Sequence, residues 1–208
     1  MISKSIIRRS ALSLRDKISV QDKSAKDARI KYSLLHLKEF KDASKVMLYA
    51  SFRSEPETLT IIEEALGSGK LVALPKVEGT TLGVYEIRGM SELVSGCMGI
   101  PEPDVPQSRR IDIEQLSHFD IIVTPGVAFD ASGGRLGYGC GFYDRLLGSW
   151  PLRPMSSPLP GPLIVLSRSR TLLVALAYVE QIVDDIPMQP HDVRVDRIIT
   201  DDGVITPQ

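Results

Sequence analysis

The sequence predicts an α/β fold with a mostly parallel central sheet flanked by helices, and three observations carry that expectation. Residues 46–50 (VMLYA) form a short apolar run of strand length, residues 58–66 have helical spacing, and residues 70–74 (KLVAL) are again strand-like. Strand, helix, strand in that order is the signature of a parallel crossover unit, whose helix covers one face of the sheet. Residues 119–124 (FDIIVT) read as a strand buried on both faces, and they run directly into Pro125-Gly126. The 208 residues are 43 % hydrophobic and 25 % charged, ordinary values for a globular chain long enough to bury about 70 % of its unfolded surface. One domain over residues 1–208 is expected.

Along the chain, residues 3–18 read as a first helix. Ser19-Val20-Gln21-Asp22 offers an N-cap for a second, with an acid three residues on. Ala25, Ala28, Tyr32, Leu35 and Phe40 fall near helical spacing and predict its buried face, so the helical N-terminal part extends over residues 3–40. The helix over 58–66 stops at Gly67 and Gly69. Gly67-Ser68-Gly69-Lys70 looks like the tail of a P-loop, but the upstream glycine is missing and a strand follows where a helix is required, so a helix stop is the better reading. Residues 82–87 alternate in sidedness and predict a further strand. Residues 99–106 (GIPEPDVP) hold three prolines, which forbid a helix and predict a stiff surface crossing. Residues 151–162, with five prolines, predict a loose surface loop. Residues 172–178 and 197–200 supply two more strands.

Charge and composition narrow the function. With 25 basic and 26 acidic side chains the net charge is -1, which gives no global attraction for nucleic acid or an anionic membrane. Two cysteines, Cys97 and Cys140, are too few for a disulfide framework and indicate a reducing compartment. No apolar run approaches the length of a membrane span.

The chemistry concentrates in residues 133–145, GGRLGYGCGFYDR. Five of the nine residues from Gly133 to Gly141 are glycine, so successive backbone N–H groups can turn toward one point, a geometry that suits phosphate. Arg135 adds a forked cation, residues 142–147 have helix-forming spacing, and Asp144 is placed to hold a divalent metal. A hairpin tip is the competing reading of so many glycines, weighed against by the Arg, Tyr and Asp packed among them. The spacing Gly137-x-Gly139-x-Gly141 does not match the dinucleotide fingerprint.

Several ordered motifs resemble one family. They are Lys4-x-x-Ile7-Arg8, Glu55-x-x-Thr58, Gly99-Ile-Pro-Glu-Pro103, Pro125-Gly126-Val-Ala-Phe-Asp130, the glycine loop, and Pro187-x-x-x-His191-Asp192-x-x-Val195-Asp196. Together they span nearly the whole chain and resemble the 5-formyltetrahydrofolate cyclo-ligases. The resemblance implies the architecture shared with sugar-phosphate isomerases and coenzyme A transferases. It also implies an ATP- and Mg2+-dependent ring closure of 5-formyltetrahydrofolate to 5,10-methenyltetrahydrofolate through a phosphorylated formyl group, with ADP and phosphate released. By the same resemblance, Lys4, Arg8, Arg135, Gly137, Gly139, Gly141 and Tyr143 would bind ATP, with Arg135 and Tyr143 catalytic. Ala50, Glu55, Tyr138, Gly139, Cys140, Gly141 and Phe142 would contact the folate, and Asp144 and Asp192 would hold magnesium.

Bland readings stand beside these. Lys4 and Arg8 at i and i+4 also suit a solvated helix face, and Asp192 and Asp196 suit turn and cap positions. His191 is assigned no catalytic role. The family usually has glycine or a basic residue at position 140 and tyrosine at 142; Phe142 predicts altered affinity rather than lost activity, and Cys140 reads first as a small residue tolerated in the loop, with a reactive thiol in an anion-binding loop as the alternative. Two competing functions are a sugar-phosphate isomerase or coenzyme A transferase relative, and a binding protein that has lost turnover. The partner expected is a reduced folate, without nucleic acid or membrane, and the chain is expected to be a monomer. The basic, acid-free first fifteen residues suit a mitochondrial presequence. Because Lys4 and Arg8 lie in that stretch, a cytoplasmic location is preferred, with a mitochondrial one as the alternative.

Overall fold

The computed structural model describes residues 3–148, 171–190 and 192–207; the expected loop over 151–162 and His191 lie outside them. The helices are α1 (Lys4–Arg15), α2 (Val20–His36), α3 (Lys38–Asp42), α4 (Leu59–Gly67) and α5 (Phe142–Gly148). The strands are β1 (Lys45–Met47), β2 (Leu71–Glu78), β3 (Thr81–Ile87), β4 (Leu93–Ser95), β5 (Pro101–Pro103), β6 (Arg110–Ile111), β7 (Ile121–Thr124), β8 (Ala128–Asp130), β9 (Arg135–Leu136), β10 (Leu172–Leu176), β11 (Ile182–Val183), β12 (Arg197–Ile199) and β13 (Val204–Ile205). No helix among the described residues is long and apolar enough to cross a membrane.

Eight strands form one sheet in the order β13-β12-β10-β7-β1-β2-β3-β6. Its five central strands, β12 to β2, are parallel, and β13, β3 and β6 add antiparallel edges. The mostly parallel sheet and its crossover helix α4 are therefore as the sequence predicts. Strand side chains alternate between faces, and the two cores follow that period. Val46, Val72, Leu74, Ile121, Val123, Val174 and Leu176 pack on one face with Ile30, Leu34, Phe40, Ile61 and Ile62. Met47, Ala73, Ile122, Leu173 and Ala175 pack on the other with Phe129, Leu146 and Leu147. Both faces of β7 are buried, which is why its sequence reads as a continuous apolar run.

Two helical expectations need correction. The first helix ends at Arg15, where the Asp16 N–H closes on the Leu12 carbonyl. In α2, Ala25, Ala28 and Tyr32 are exposed, and the inward stripe is Lys23, Lys26, Asp27, Ile30 and Leu34. The upper half of that stripe is polar because each group finds a partner: Lys26 reaches Asp201 at 2.6 Å, and Asp27 accepts from the Tyr178 hydroxyl at 2.6 Å and from the Glu57 N–H at 3.0 Å. Apolar periodicity is blind to such a face. The Ser19 cap is present, its hydroxyl accepting from the Asp22 N–H at 3.1 Å.

The Gly67-Ser68-Gly69-Lys70 segment is a helix stop. The Lys70 N–H returns to the Ala65 carbonyl, and the Lys70 ammonium caps the chain end of α3 through the Ala43 carbonyl at 2.6 Å. The proline-rich stretch is more than a surface crossing, since β5 pairs antiparallel with β4 and Glu102 is buried. The ladder bonds Gly96 N–H to Ile100 O and Asp104 N–H to Glu92 O put Glu102 on the paired side. Pro101 and Pro103 face the open edge, where no N–H is needed.

The glycine loop divides in two. Gly133 and Gly134 form the turn of the β8–β9 hairpin, so the hairpin reading holds for them, while Gly137 onward leads into α5. Gly133 has φ 82° and a Cβ there would lie 2.5 Å from the Val195 carbonyl; Gly69 has φ 76° with open space around it. Gly133→Ala should therefore cost about 2 kcal/mol or more, against about 1 kcal/mol for Gly69→Ala, read as denaturation midpoints at unchanged m-value. Equal losses would show that packing against Val195 contributes nothing.

Candidate active site

A cavity of about 330 Å³ opens beyond the carboxyl ends of β1 and β7, the place where open α/β sheets bind ligands. Tyr49 and Ala50 follow β1, Pro125 follows β7, Pro75 and Val77 come from β2, and the turn between β4 and β5 contributes Cys97, Met98 and Ile100. Arg135, Gly137, Tyr138, Cys140, Gly141, Phe142, Tyr143 and Asp144 form the facing wall, with Glu55 and Phe52 from the loop after β1, and Leu82, Pro101 and Glu102 complete the lining. The hairpin thus delivers its second strand and the start of α5 to one side of the cavity.

Glu55 is 5 % exposed and accepts the Phe52 N–H at 2.8 Å. Burial raises its pKa above the ordinary value; the Phe52 N–H, the Tyr138 hydroxyl, Arg15 and Lys23 oppose that rise without cancelling it. Tyr138 is 42 % exposed, and burial of its phenol followed by the Glu55 charge pushes its pKa up to about 12. Arg15 holds it, donating to the Tyr138 hydroxyl at 2.7 Å and to Ser54 at 3.0 Å.

Arg135 is 4 % exposed and pairs through Nη2 with Asp144, while Nη1 reaches the Pro125 carbonyl at 3.4 Å. Its Nε and the Tyr143 hydroxyl are buried with no partner among the described residues, and burial holds the Tyr143 phenol far above its ordinary pKa. Such bare donors beside an ion pair are what a polar ligand satisfies.

Ala50, Glu55, Arg135, Gly137, Tyr138, Cys140, Gly141, Phe142, Tyr143 and Asp144, all sequence-predicted, line this one cavity. Lys4, Arg8, Gly139 and Asp192 lie outside the lining. Arg8 donates to the Gly137 carbonyl at 2.8 Å and stands against Gly139; one turn earlier Lys4 pairs with Asp192. Asp192 also accepts the Gln189 N–H at 2.7 Å, so it serves as a turn residue and an ion-pair partner at once. Asp196 is structural, accepting the Leu173 N–H at 2.8 Å. Among the described residues no three His, Cys, Asp or Glu side chains form a metal-ligand group; Asp144 and Asp192 occupy two separate ion pairs. Cys140 and Cys97 are exposed thiols on the same cavity.

Sequence reasoning missed Tyr49, Phe52 and the turn at 96–100 as parts of the cavity, and Arg15 as the residue that holds Tyr138. Arg15 carried a signal: with Ile7 and Ala11 it continues an i, i+4, i+8 stripe, and a charge on an apolar stripe marks a buried partner.

The chain matches the model of the 5-formyltetrahydrofolate cyclo-ligase family over residues 1–201. The chain belongs to that family. It is 31 % identical to the mitochondrial 5-formyltetrahydrofolate cyclo-ligase of Arabidopsis thaliana, covering 98 % of this chain and 74 % of the relative. It is 32 % identical to the Escherichia coli K12 5-formyltetrahydrofolate cyclo-ligase, covering 76 % of this chain and 78 % of that one. The solved 5,10-methenyltetrahydrofolate synthetase of Aquifex aeolicus superposes with a TM-score of 0.78 at 32 % identity, covering 99 % of this chain and 93 % of that one. The cyclo-ligases are ligases, and the cavity just described is the candidate active site of this one.

Because burial raises the Glu55 pKa, the folded chain holds that proton more tightly than the unfolded chain. Stability on this account is full below the ordinary value of 4.5 and is lost as the pH rises through the folded value. Glu55→Gln keeps an acceptor for the Phe52 N–H and removes the charge. It should melt higher than the parent at about pH 7.5, with the gap closing toward about pH 4.5. A gap that widens in acid contradicts the assignment.

Proposed function

We propose that the protein converts 5-formyltetrahydrofolate to 5,10-methenyltetrahydrofolate with ATP and Mg2+. The carrying observation is the Arg135–Asp144 pair on the wall of a mostly apolar cavity that also holds a buried carboxylate, Glu55. A pterin is flat and apolar on its faces with N–H donors on its edge. Apolar walls and one buried acceptor suit it, while a guanidinium with a bare Nε suits phosphate.

The chemistry proceeds in two steps. The formyl oxygen attacks the γ-phosphorus and ADP leaves; N10 then attacks the formyl carbon and loses its proton, and phosphate departs with the former formyl oxygen. Phosphorylation matters because an amide-like oxygen leaves poorly, whereas phosphate leaves well. Arg135 neutralises charge on the transferring group, and the buried Tyr143 hydroxyl donates to one of its oxygens. Lys4 and Arg8 take the other phosphates from α1, with the backbone of Gly137, Gly139 and Gly141. Glu55 accepts from the pterin edge, and Ala50, Tyr138, Cys140 and Phe142 border the folate.

The donor set also fits magnesium, since Asp144 and Asp192 offer hard carboxylate oxygens, each now held by a cation that phosphate attracts. When bound, the ion shields the phosphate oxygens from the attacking oxygen. An isomerase or transferase reading gives these two ion pairs no task.

The product absorbs in the near ultraviolet where 5-formyltetrahydrofolate does not. Mixing protein, 5-formyltetrahydrofolate, ATP and Mg2+ should give a rise in absorbance; folate binding without a rise supports a non-catalytic binder. Asp144→Asn should lower kcat about 100-fold and raise the Mg2+ requirement. Unchanged Mg2+ dependence removes Asp144 from the metal. Arg135→Ala should act mainly through ATP, and an effect confined to folate would reverse the two ends of the site.

A further inference from the structure

Arg53 stands between two cavity residues, Phe52 and Glu55, and three observations set it apart. Its backbone has φ 54°, a left-handed conformation uncommon for a residue with a side chain. Its guanidinium lies 4.8 Å from the centroid of the Phe52 ring, which lines the cavity. It is exposed, and among the described residues no carboxylate pairs with it.

The cavity itself has the wrong charge for part of its substrate. Among the described residues its lining holds Glu55, Glu102 and Asp144 against Arg135 alone, and Arg135 is already committed to Asp144. Tetrahydrofolates end in glutamate, whose carboxylates are ionised at neutral pH. That end is repelled by the lining and needs a cation outside it. Arg145, stacked on the other phenylalanine of the lining, is already donating to the Thr80 carbonyl. Arg53 is held on an aromatic ring with its donors free, and a guanidinium fork matches a carboxylate.

We infer that Arg53 is the specificity residue for the glutamate tail, pairing with its carboxylates where the tail leaves the cavity over Phe52. This rests on the reading of the cavity as the folate site. Arg53→Gly is the direct test, because glycine adopts this φ freely and the loop keeps its shape while the cation goes. With saturating ATP and Mg2+, KM for 5-formyltetrahydrofolate should rise about fivefold. KM for ATP should not follow it. The neutral 5-formyltetrahydropteroyl amide analogue, which ends at a benzamide, lacks the glutamate and its carboxylates, and its KM should be the same for parent and variant. Added salt should shrink the parent's preference for the glutamate-bearing substrate.

A parent-like KM in Arg53→Gly overturns the inference, as does an equal loss on both substrates. Calorimetric titration of the parent with 5-formyltetrahydrofolate separates the two levels. If the parent binds no folate, the reading of the cavity fails and the inference with it; if it binds folate and the variant binds equally well, only the role of Arg53 fails.

Discussion

The site depends on the side chain of Asp130. One carboxylate oxygen accepts the Ser132 and Gly134 N–H groups, each at 2.9 Å, and the Ser132 hydroxyl at 2.6 Å; the other accepts the Ile186 N–H at 2.9 Å. Burial works against its charge, yet these bonds outweigh burial and hold its pKa below the ordinary value. The carboxylate thereby ties the β8–β9 turn to the segment before Asp192, and the Val195 N–H adds a bond to the Gly133 carbonyl at 2.9 Å. The position of Arg135 on β9, and of everything from Gly137 to Asp144, follows from that anchored turn. Helix α1 then closes over the hairpin, burying Ile7 and Ala11 against Val127, Ala128 and Leu136.

A second constraint lies at the Glu55 end of the cavity. Arg15, at 2 % exposure, sits within reach of Ser54, Tyr138 and the Glu55 charge, and its Nη1 has no partner among the described residues. A buried cation and a buried acid both lose hydration, and replacing such a pair with apolar groups is often neutral or stabilising. Retaining them makes sense where the acid must stay available to an incoming donor. Arg15 supplies the nearby positive charge that keeps Glu55 closer to ionisation than burial alone would allow.

Elements governed by periodicity were legible in the sequence: the five parallel strands, α4 with its glycine stop, and α5 opening at Phe142. The inward face of α2 was not, because Lys23, Lys26 and Asp27 are polar and find their partners at Tyr178, Glu180 and Asp201, more than 150 residues away. The 96–100 turn was illegible for a related reason. The prolines that follow it announce only where a helix cannot form, while the fact that Met98 and Ile100 reach the cavity depends on β5 pairing with β4. The glycine loop was read as one unit because composition does not distinguish a glycine that avoids a neighbour, as Gly133 does, from one that borders open space.

The two ion pairs unite these features. Lys4–Asp192 joins α1 to the C-terminal segment, and Arg135–Asp144 joins β9 to α5. In each, the cation is the kind that binds phosphate and the anion the kind that binds a hard metal ion. Without ligand, each charge neutralises the other, so neither is left bare in a partly buried setting where an unpaired charge is costly. On the function proposed above, a nucleotide arriving with its metal would bring both complements together, and each pair would exchange partners with little change in net charge or in position. Such an exchange would let a site hold concentrated charge before its substrate arrives and still keep the chain folded.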